Sequence, residues 1–317
     1  MQPSPSHSSG PLSISVRLLR VKQWTKNGFV LTPLLFSGLF IRTSAVIESL
    51  LAVAAFSLVA SAVYIVNDLA DLQADRQHPR KKHRPIASGR VSVAAGVVSA
   101  AICAAGGFSI GLMLGFPVAI VLAVYVALQI AYTAVLKHVA IIDAMAIAMG
   151  FILRVYAGAF SIQVPVSSWF LLTAFFLALY LALAKRKAEL AAIGPEKTSP
   201  TDTLATAAKS REAVRPHQRP VLRMYSVRLL DQLLPLTLGL TVVSYSLYTV
   251  DPDTVTRLGT DRLIFTVPIV LYGMFRYLLL MNRDGSDDDP SAIFVTDRGM
   301  LLAVATWVVV TGLVLLV

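Results

Sequence analysis

Long runs of apolar residues, interrupted by short polar segments, set the pattern of this chain. A helix that crosses the hydrocarbon core of a bilayer needs about 20 mostly apolar residues. Nine segments meet or approach this length: 21–41, 45–66, 93–114, 117–136, 140–160, 168–184, 229–250, 263–281 and 300–317. The pattern therefore predicts an all-α integral membrane protein with nine transmembrane helices.

The first of the nine segments differs from the others. Its purely apolar part, 28–41, is too short to cross alone, so it must include the polar turn before it. Polar groups at membrane depth usually face the interior of a helix bundle. We predict that this turn binds phosphate, with snorkelling to the interface as the alternative. The residues concerned share one helix face: Lys22, Gln23, Lys26 and Asn27.

The composition agrees with a membrane protein. Hydrophobic residues make up 56% of the 317 residues and charged residues 15%, against about 45–50% and about 25% in soluble proteins. A net charge of +10 would suggest nucleic acid binding in a soluble protein, but membrane proteins collect basic residues in cytoplasmic loops. We therefore expect no nucleic-acid partner. The single cysteine, Cys103, allows no internal disulfide.

The distribution of lysine and arginine predicts the orientation, because cytoplasmic loops are enriched in both. With a cytoplasmic N-terminus and nine alternating helices, nearly all of the 28 basic residues lie on the cytoplasmic side. The exceptions are Arg42, Arg154, Arg257 and Arg262. We predict a disordered cytoplasmic tail over 1–16 and a single transmembrane domain over 17–317. Within that domain, the proline-rich segment 194–222 is predicted to be a mobile cytoplasmic loop.

One asparagine and three aspartates are spaced along the end of the second apolar segment, in the stretch NDLADLQAD. If the helix continues past Val66, Asn67 and the three aspartates project from one face. Crowded carboxylates repel one another unless a cation holds them, and Mg²⁺ typically binds one or two carboxylates together with substrate phosphates. We predict a catalytic magnesium site, with a solvated helix end as the alternative. Its ligands would be Asp68, Asp71 and Asp75.

Basic residues follow the aspartates directly. A magnesium-diphosphate site needs such a neighbour, because arginine and lysine bind the phosphate oxygens that the metal leaves unbound. Positive charge on a cytoplasmic loop would account for part of the same pattern. The predicted substrate-binding residues in this region are Asn67, Arg76, Lys81 and Arg84.

Three further places carry candidate substrate-binding residues. Arg154 lies inside the fifth segment and needs a phosphate or an acidic partner, for which Asp143 is a candidate. Lys185, Arg186 and Glu189 end the sixth segment, where a Lys185–Glu189 helix pair is the alternative reading. The end of the fourth segment supplies two weaker candidates, Tyr132 and Lys137.

The chain resembles the UbiA-type intramembrane prenyltransferase superfamily in its aspartate motif at the end of the second helix. The longer strings KQWTKN, YIVNDLADLQADRQHPRKKHRPIASG, AYTAVLKH, FILRVYAG, WFLL and KRKAEL are similar to the branch that includes decaprenyl-phosphate phosphoribosyltransferase. The resemblance implies a nine-helix bundle around a cavity open to the cytoplasm, Mg²⁺ as cofactor, and a bacterial inner membrane. It leaves the oligomeric state open, a homo-oligomer included.

One departure from the wider superfamily bears on the reaction. Typical members carry a second aspartate motif after the sixth helix, where this chain reads ALAKRKAEL. Cationic binding of phosphate is therefore favoured there over a second metal. The resemblance then implies transfer of phosphoribose from 5-phosphoribosyl 1-diphosphate to a polyprenyl phosphate, with release of diphosphate, for cell-envelope polysaccharide synthesis. The alternatives are a prenyltransferase that uses a prenyl diphosphate and an aromatic or other acceptor, and a transporter or lipid-handling protein without chemistry.

Overall fold

The computed structural model describes residues 11–79, 81–191, 220–282 and 296–316. Every regular element in these ranges is an α-helix or a 3₁₀-helix, so the all-α prediction is confirmed. Helices that are long and apolar enough to cross a membrane number eight among the described residues: Thr43–Ala70, Val93–Leu114, Phe116–Ala134, Ile142–Ser161, Ser168–Ala191, Val227–Val250, Arg262–Met281 and Arg298–Leu316. The protein is a multi-pass membrane protein.

The predicted helix over 21–41 is not one helix. The structure has a 3₁₀-helix at Val21–Leu31, a short α-helix at Thr32–Phe36 and a 3₁₀-turn at Leu39–Ile41. The hydroxyls of Thr25 and Thr32 each donate to the carbonyl three residues earlier, at 3.1 and 2.7 Å, which suits the 3₁₀ period. A ninth spanning segment therefore stays a prediction.

The boundaries of the predicted tail and loop also change. An α-helix over Pro11–Leu18 overlaps the predicted tail 1–16, so disorder is wrong for its last six residues. Most of the predicted loop 194–222 lies outside the described residues, and its end forms a 3₁₀-helix at Pro220–Met224. The remaining helices of the described chain are α3 (Thr43–Ala70), α4 (Leu72–Gln77), α5 (Val93–Leu114), α6 (Phe116–Ala134), α7 (Ile142–Ser161), α8 (Ser168–Ala191), α9 (Val227–Val250), α10 (Pro252–Leu258), α11 (Val267–Met281) and α12 (Arg298–Leu316).

The contacts divide the chain into two compact units, so a single domain over 17–317 stays a prediction. The first unit comprises 1–34, 40–133 and 153–164. Its centre is the packing of α3 against α5, where Gly107 lets the two backbones approach. A Cβ atom at Gly107 would lie 2.6 Å from a methyl of Val59 and 2.8 Å from the carbonyl of Ala55. Small residues at such crossings are typical of membrane helices.

The second unit comprises 35–39, 134–152 and 165–317. In it α8 packs against α9 and α11 against α12. Buried aliphatic and aromatic side chains of these helices form one continuous core that includes Tyr180, Leu183, Leu230, Leu234 and Tyr277. The beginning of α7 belongs to this unit and its end to the first unit.

Gly158 gives a direct test of the packing in the first unit. A Cβ atom at this position would collide with the backbone carbonyl of Val30, which belongs to the 3₁₀-helix Val21–Leu31. Because backbone cannot move aside as a side chain does, we expect Gly158→Ala to lower the free energy of unfolding by about 1–3 kcal/mol. Thermal unfolding in detergent measures this. Gly239→Ala is the control, since open space surrounds Gly239 inside α9; equal losses in both variants would contradict the expectation.

Candidate functional site

A break in the helix shapes the aspartate motif. Helix α3 ends at Ala70 and α4 begins at Leu72, with Asp71 at the junction. The N–H of Asp71 still donates to the carbonyl of Asn67 at 2.9 Å, so these two residues lie one helical turn apart. The N–H of Asp75 in turn donates to the carbonyl of Asp71 at 2.8 Å, so the helical spacing predicted through Asp75 is kept across a break of one residue.

Asp68 and Asp75, on either side of this junction, contact the same arginine. Nη1 of Arg84 lies 3.0 Å from Oδ1 of Asp68 and 2.6 Å from Oδ2 of Asp75. Nζ of Lys81 lies 3.9 Å from the other oxygen of Asp75. The two aspartate side chains are only 4% and 2% exposed, whereas Arg84 is 27% exposed. The motif is thus a layered cluster, with carboxylates inside and cations outside.

Arg20 completes this cluster and was not among the predicted residues. Its Nη2 donates to Oδ1 of Asp68, and its guanidinium lies 4.9 Å from the ring centroid of Tyr64. Arg20 has the left-handed backbone conformation, with φ 51° and ψ 45°, which is uncommon outside glycine. The sequence offers one weak signal, a basic residue just before the polar turn 21–27, but nothing in it relates that residue to Asp68.

Asp71 and Asn67 have different surroundings. Both are half-buried, and the hydroxyl of Thr133 approaches Oδ1 of Asn67 at 3.5 Å. Within the described ranges the Asp71 carboxylate makes no ion pair, and no group of three or more histidine, cysteine, aspartate or glutamate side chains converges as a metal site would require. The three aspartates are therefore not one cluster. Two of them are buried against cations, and the third is left accessible.

The 3₁₀-helix Val21–Leu31 places the other predicted phosphate ligands of the first unit. Lys22 is exposed, whereas Gln23 and Lys26 are half-buried. Nε1 of Trp24 donates to Ser61 at 3.1 Å, which fixes this segment against α3. Two further predicted residues, Arg76 on α4 and Tyr132 on α6, are exposed and half-buried respectively.

Asn27 and Arg154 form a buried polar contact in the same unit. Nε of Arg154 donates to Oδ1 of Asn27 at 2.8 Å, and Nδ2 of Asn27 donates to Ser57 at 2.8 Å. The Arg154 guanidinium also lies 4.6 Å from the ring centroid of Phe56 and 5.1 Å from that of Tyr125. These contacts join α7 to the 3₁₀-helix. The proposed pairing of Arg154 with Asp143 is wrong, because Asp143 contacts Arg186.

A buried network in the second unit contains Arg186. Nε of Arg186 lies 2.7 Å from Oδ2 of Asp143, and its Nη1 lies 2.6 Å from Glu189. Tyr225 donates its hydroxyl proton to Oδ1 of Asp143 at 2.6 Å and accepts from the N–H of Ile141 at 2.7 Å. Glu189 therefore pairs with Arg186, and the suggested Lys185–Glu189 pair is wrong. Asp143 and Tyr225 are the residues that sequence reasoning did not assign to this network.

Burial and the hydrogen bond to Asp143 raise the pKa of Tyr225 above its usual range, so its hydroxyl stays protonated at neutral pH. We expect Tyr225→Phe to lower the free energy of unfolding by about 1–3 kcal/mol, because two buried polar groups lose their partner. Since a raised folded-state pKa contributes stability below the unfolded value, the difference should hold up to about pH 10 and shrink above it. Thermal unfolding of both proteins from pH 7 to pH 11 measures this. Tyr156→Phe, whose ring stacks on Phe160, is the control; a pH-independent difference would contradict the assignment.

The lysines around Arg186 separate into two environments. Nζ of Lys187 lies 2.8 Å from Asp231 and donates to Asn282 at 2.6 Å. Lys185 is half-buried and makes no ion pair with any residue in the described part of the chain. Lys137, in the 3₁₀-helix Leu136–His138, is half-buried as well. Of the three residues in the KRK sequence, Lys185 is thus the one without an ion pair in the described part of the chain.

Comparison with known proteins identifies the family of this chain. The model of the UbiA prenyltransferase family matches residues 30–215, which is more than half of the chain. The chain belongs to the UbiA prenyltransferase family. UbiA-type membership confirms the resemblance that the aspartate motif indicated.

Two relatives among the UbiA proteins are decaprenyl-phosphate phosphoribosyltransferases. That of Mycolicibacterium smegmatis is 31% identical over 320 residues, which cover 98% of this chain and 95% of that protein. That of Corynebacterium glutamicum is 40% identical over 179 residues, but the match spans just over half of either protein, 55% of this chain and 54% of the relative. A solved UbiA homolog from Archaeoglobus fulgidus, bound to DMAPP and Mg²⁺, superposes with a TM-score of 0.67 at 16% identity, over 95% of this chain and 99% of that one. The UbiA fold is therefore shown.

Proposed function

We propose that this protein transfers the 5-phosphoribosyl group from 5-phosphoribosyl 1-diphosphate to a polyprenyl phosphate and releases diphosphate. The observation that carries the proposal is the cluster at the end of α3, where buried carboxylates hold basic side chains next to accessible oxygen donors. Such an arrangement suits a magnesium-bound diphosphate. The near full-length relative in M. smegmatis, a decaprenyl-phosphate phosphoribosyltransferase, supports a decaprenyl-like acceptor.

The residues present fit a magnesium ion. Mg²⁺ prefers oxygen ligands, keeps several waters and usually takes one or two carboxylates with substrate phosphates. The Asp71 carboxylate and the Asn67 amide oxygen, one turn apart and half-buried, meet this requirement, whereas Asp68 and Asp75 are already contacted by arginine. We infer that Asp71 and Asn67 hold the ion. When bound, it would neutralise charge on the departing diphosphate.

The remaining chemistry needs few side chains. Displacement at the ribose C1 carbon develops oxocarbenium character, as in glycoside cleavage. The attacking phosphate oxygen of the lipid is already an anion near neutral pH, so no strong general base is required. Arg84 and Lys81 would stabilise negative charge that grows on the leaving group, since their positions are set by Asp68 and Asp75 before substrate arrives.

Other residues complete the proposal. Lys185 would bind a phosphate of one of the substrates, with Lys22, Gln23 and Lys26 as further phosphate ligands. Arg186, Glu189, Asn27 and Arg154 would act by holding helices in place, because each makes a polar contact inside its own unit. Arg76, Tyr132 and Lys137 are proposed as weaker substrate-binding residues.

An inner-membrane location is proposed from the family resemblance, and the lysine and arginine distribution supports an orientation with the N-terminus and the active site on the cytoplasmic side. In this orientation a water-soluble sugar diphosphate would enter the site from the cytoplasm. A homo-oligomer remains compatible with the proposal.

A second reaction has one observation in its favour. The A. fulgidus homolog of similar fold binds DMAPP, a prenyl diphosphate, together with Mg²⁺. A prenyltransferase acting on an aromatic or other acceptor would use the same aspartate motif. The lysine and arginine residues after the sixth predicted helix, in place of a second aspartate motif, favour the phosphoribosyl reaction.

A comparison of two donors tests the proposal. Purified protein in detergent would be incubated with Mg²⁺, polyprenyl phosphate and either labelled 5-phosphoribosyl 1-diphosphate or a labelled prenyl diphosphate with aromatic acceptors. We expect label in a new lipid with the sugar donor alone, and none after addition of EDTA. Transfer from the prenyl donor alone would replace the proposal with the second reaction.

A further inference from the structure

The buried aspartates and the arginines that contact them differ in accessibility. The side chains of Asp68 and Asp75 are at most 4% exposed, whereas those of Arg20 and Arg84 are 26% and 27% exposed. A ligand that arrives from water therefore meets the guanidinium groups first. A metal ion would have to compete with an arginine for Oδ1 of Asp68 and Oδ2 of Asp75.

Arg20 and Arg84 have N–H groups available to bind an anionic ligand. Arg20 contacts Asp68 through Nη2, and Arg84 contacts both aspartates through Nη1. Their other guanidinium nitrogens make no hydrogen bond to the residues that the structure describes. A guanidinium fork binds two phosphate oxygens at once. Two arginines and Lys81 against two carboxylates also leave an excess of positive charge, which attracts an anion.

The backbone of Arg20 indicates that its placement is specific. A backbone φ of 51° is rare for a residue other than glycine, and such conformations persist where the surrounding structure enforces them. Here the guanidinium lies between the Asp68 carboxylate and the ring of Tyr64. The unfavourable backbone conformation therefore occurs at Arg20, whose side chain is part of this cluster.

We propose that Asp68 and Asp75 are positioning residues that hold Arg20 and Arg84 as a two-arginine clamp for the diphosphate of the donor. In this assignment Arg20 is a substrate-binding residue, and Asp68 and Asp75 do not bind the metal. The inference rests on the proposed phosphoribosyl transfer, whose donor carries a diphosphate. It deepens that proposal by dividing the aspartate motif into a metal-binding part at Asp71 and a clamp-holding part at Asp68 and Asp75.

Two binding measurements on the purified full-length protein separate these parts. Binding of Mn²⁺ alone is followed by electron paramagnetic resonance, and binding of radiolabelled inorganic diphosphate is followed in the presence of Mg²⁺. We expect Arg20→Gln and Asp68→Asn to weaken diphosphate binding about tenfold or more, because charged hydrogen bonds are lost. Both should leave the affinity for Mn²⁺ alone almost unchanged. Asp71→Asn should weaken Mn²⁺ binding about tenfold or more.

Two control variants test whether charge alone or the guanidinium geometry matters. Lys82→Gln removes a positive charge from an exposed neighbour of Lys81 and should change neither affinity. Arg20→Lys keeps the charge but loses the fork, so it should restore diphosphate binding only in part. In turnover, Asp68→Asn should raise KM for the sugar donor more than it lowers kcat. If Asp68→Asn fails to fold, Arg20→Gln alone tests the clamp. Arg20 is partly exposed, so its substitution is expected to leave the protein folded.

Two results would overturn the clamp. One is a loss of Mn²⁺ binding in Asp68→Asn equal to that in Asp71→Asn, which would make Asp68 a metal ligand. The other is unchanged diphosphate binding in Arg20→Gln. Failure of the proposed function looks different, because wild-type protein would then transfer no phosphoribose to lipid even where it binds diphosphate.

Discussion

Asp71→Asn is expected to reduce phosphoribosyl transfer by at least about 10²-fold, the largest effect on activity that the structure predicts. The substitution keeps the size of the side chain and removes the one carboxylate of the motif that is accessible and makes no ion pair with another described residue. Without that charge the magnesium ion loses its proposed carboxylate ligand, and loss of even an outer-shell partner of a metal ligand typically costs about 10–100-fold in affinity or activity.

The measurement is the rate of lipid labelling at increasing Mg²⁺ concentration. Higher Mg²⁺ should recover part of the activity if the defect lies in metal binding. Asp253→Asn, the same substitution at an exposed position in α10, is the matched control and should retain normal activity. An Asp71→Asn protein that keeps nearly full activity at low Mg²⁺ would remove Asp71 from the metal site.

Arg186→Met is expected to have the largest effect on stability. Arg186 is 1% exposed and Asp143 is fully buried, so the substitution leaves a buried carboxylate without its cation. Breaking a buried pair in this way typically costs about 3–5 kcal/mol. The Tyr225 hydroxyl would remain as a partner of Asp143 but carries no compensating charge.

Lys185→Met, one residue earlier on α8, should give the opposite pattern. Lys185 makes no ion pair in the described ranges, so its loss should change the unfolding temperature little and lower activity if the side chain binds phosphate. Thermal unfolding in detergent and the lipid-labelling rate, measured on both variants, separate the two roles. Full stability of Arg186→Met, or full activity of Lys185→Met, would contradict the respective assignment.

The membrane helices could be predicted because their signal is local. Eight of the nine predicted segments correspond to helices long enough to span a bilayer, since about 20 apolar residues suffice to specify each. The segment 21–41 could not be predicted in the same way. Its 3₁₀ geometry depends on contacts with distant residues, such as Trp24 with Ser61 and Asn27 with Ser57 and Arg154.

The site was predicted in its composition but not in its arrangement. The sequence places aspartates next to basic residues, and the structure brings Asp68, Asp75 and Arg84 together. Asp68 and Asp75 are buried against cations whereas Asp71 makes no ion pair in the described ranges, and helical spacing did not reveal this difference. Arg20 and Asp143 were missed as members of the two clusters because each meets its partner across 40 residues or more of sequence.

A donor labelled at two positions tests the central claim most directly. The substrate would be 5-phosphoribosyl 1-diphosphate with ¹⁴C in the ribose and ³²P in the terminal phosphate of its diphosphate, given to the purified protein with Mg²⁺ and polyprenyl phosphate. Phosphoribosyl transfer predicts ¹⁴C in the extracted lipid and all ³²P in the aqueous phase as diphosphate. Lipid that contains ³²P, or no ¹⁴C at all from folded protein, would contradict the proposed reaction.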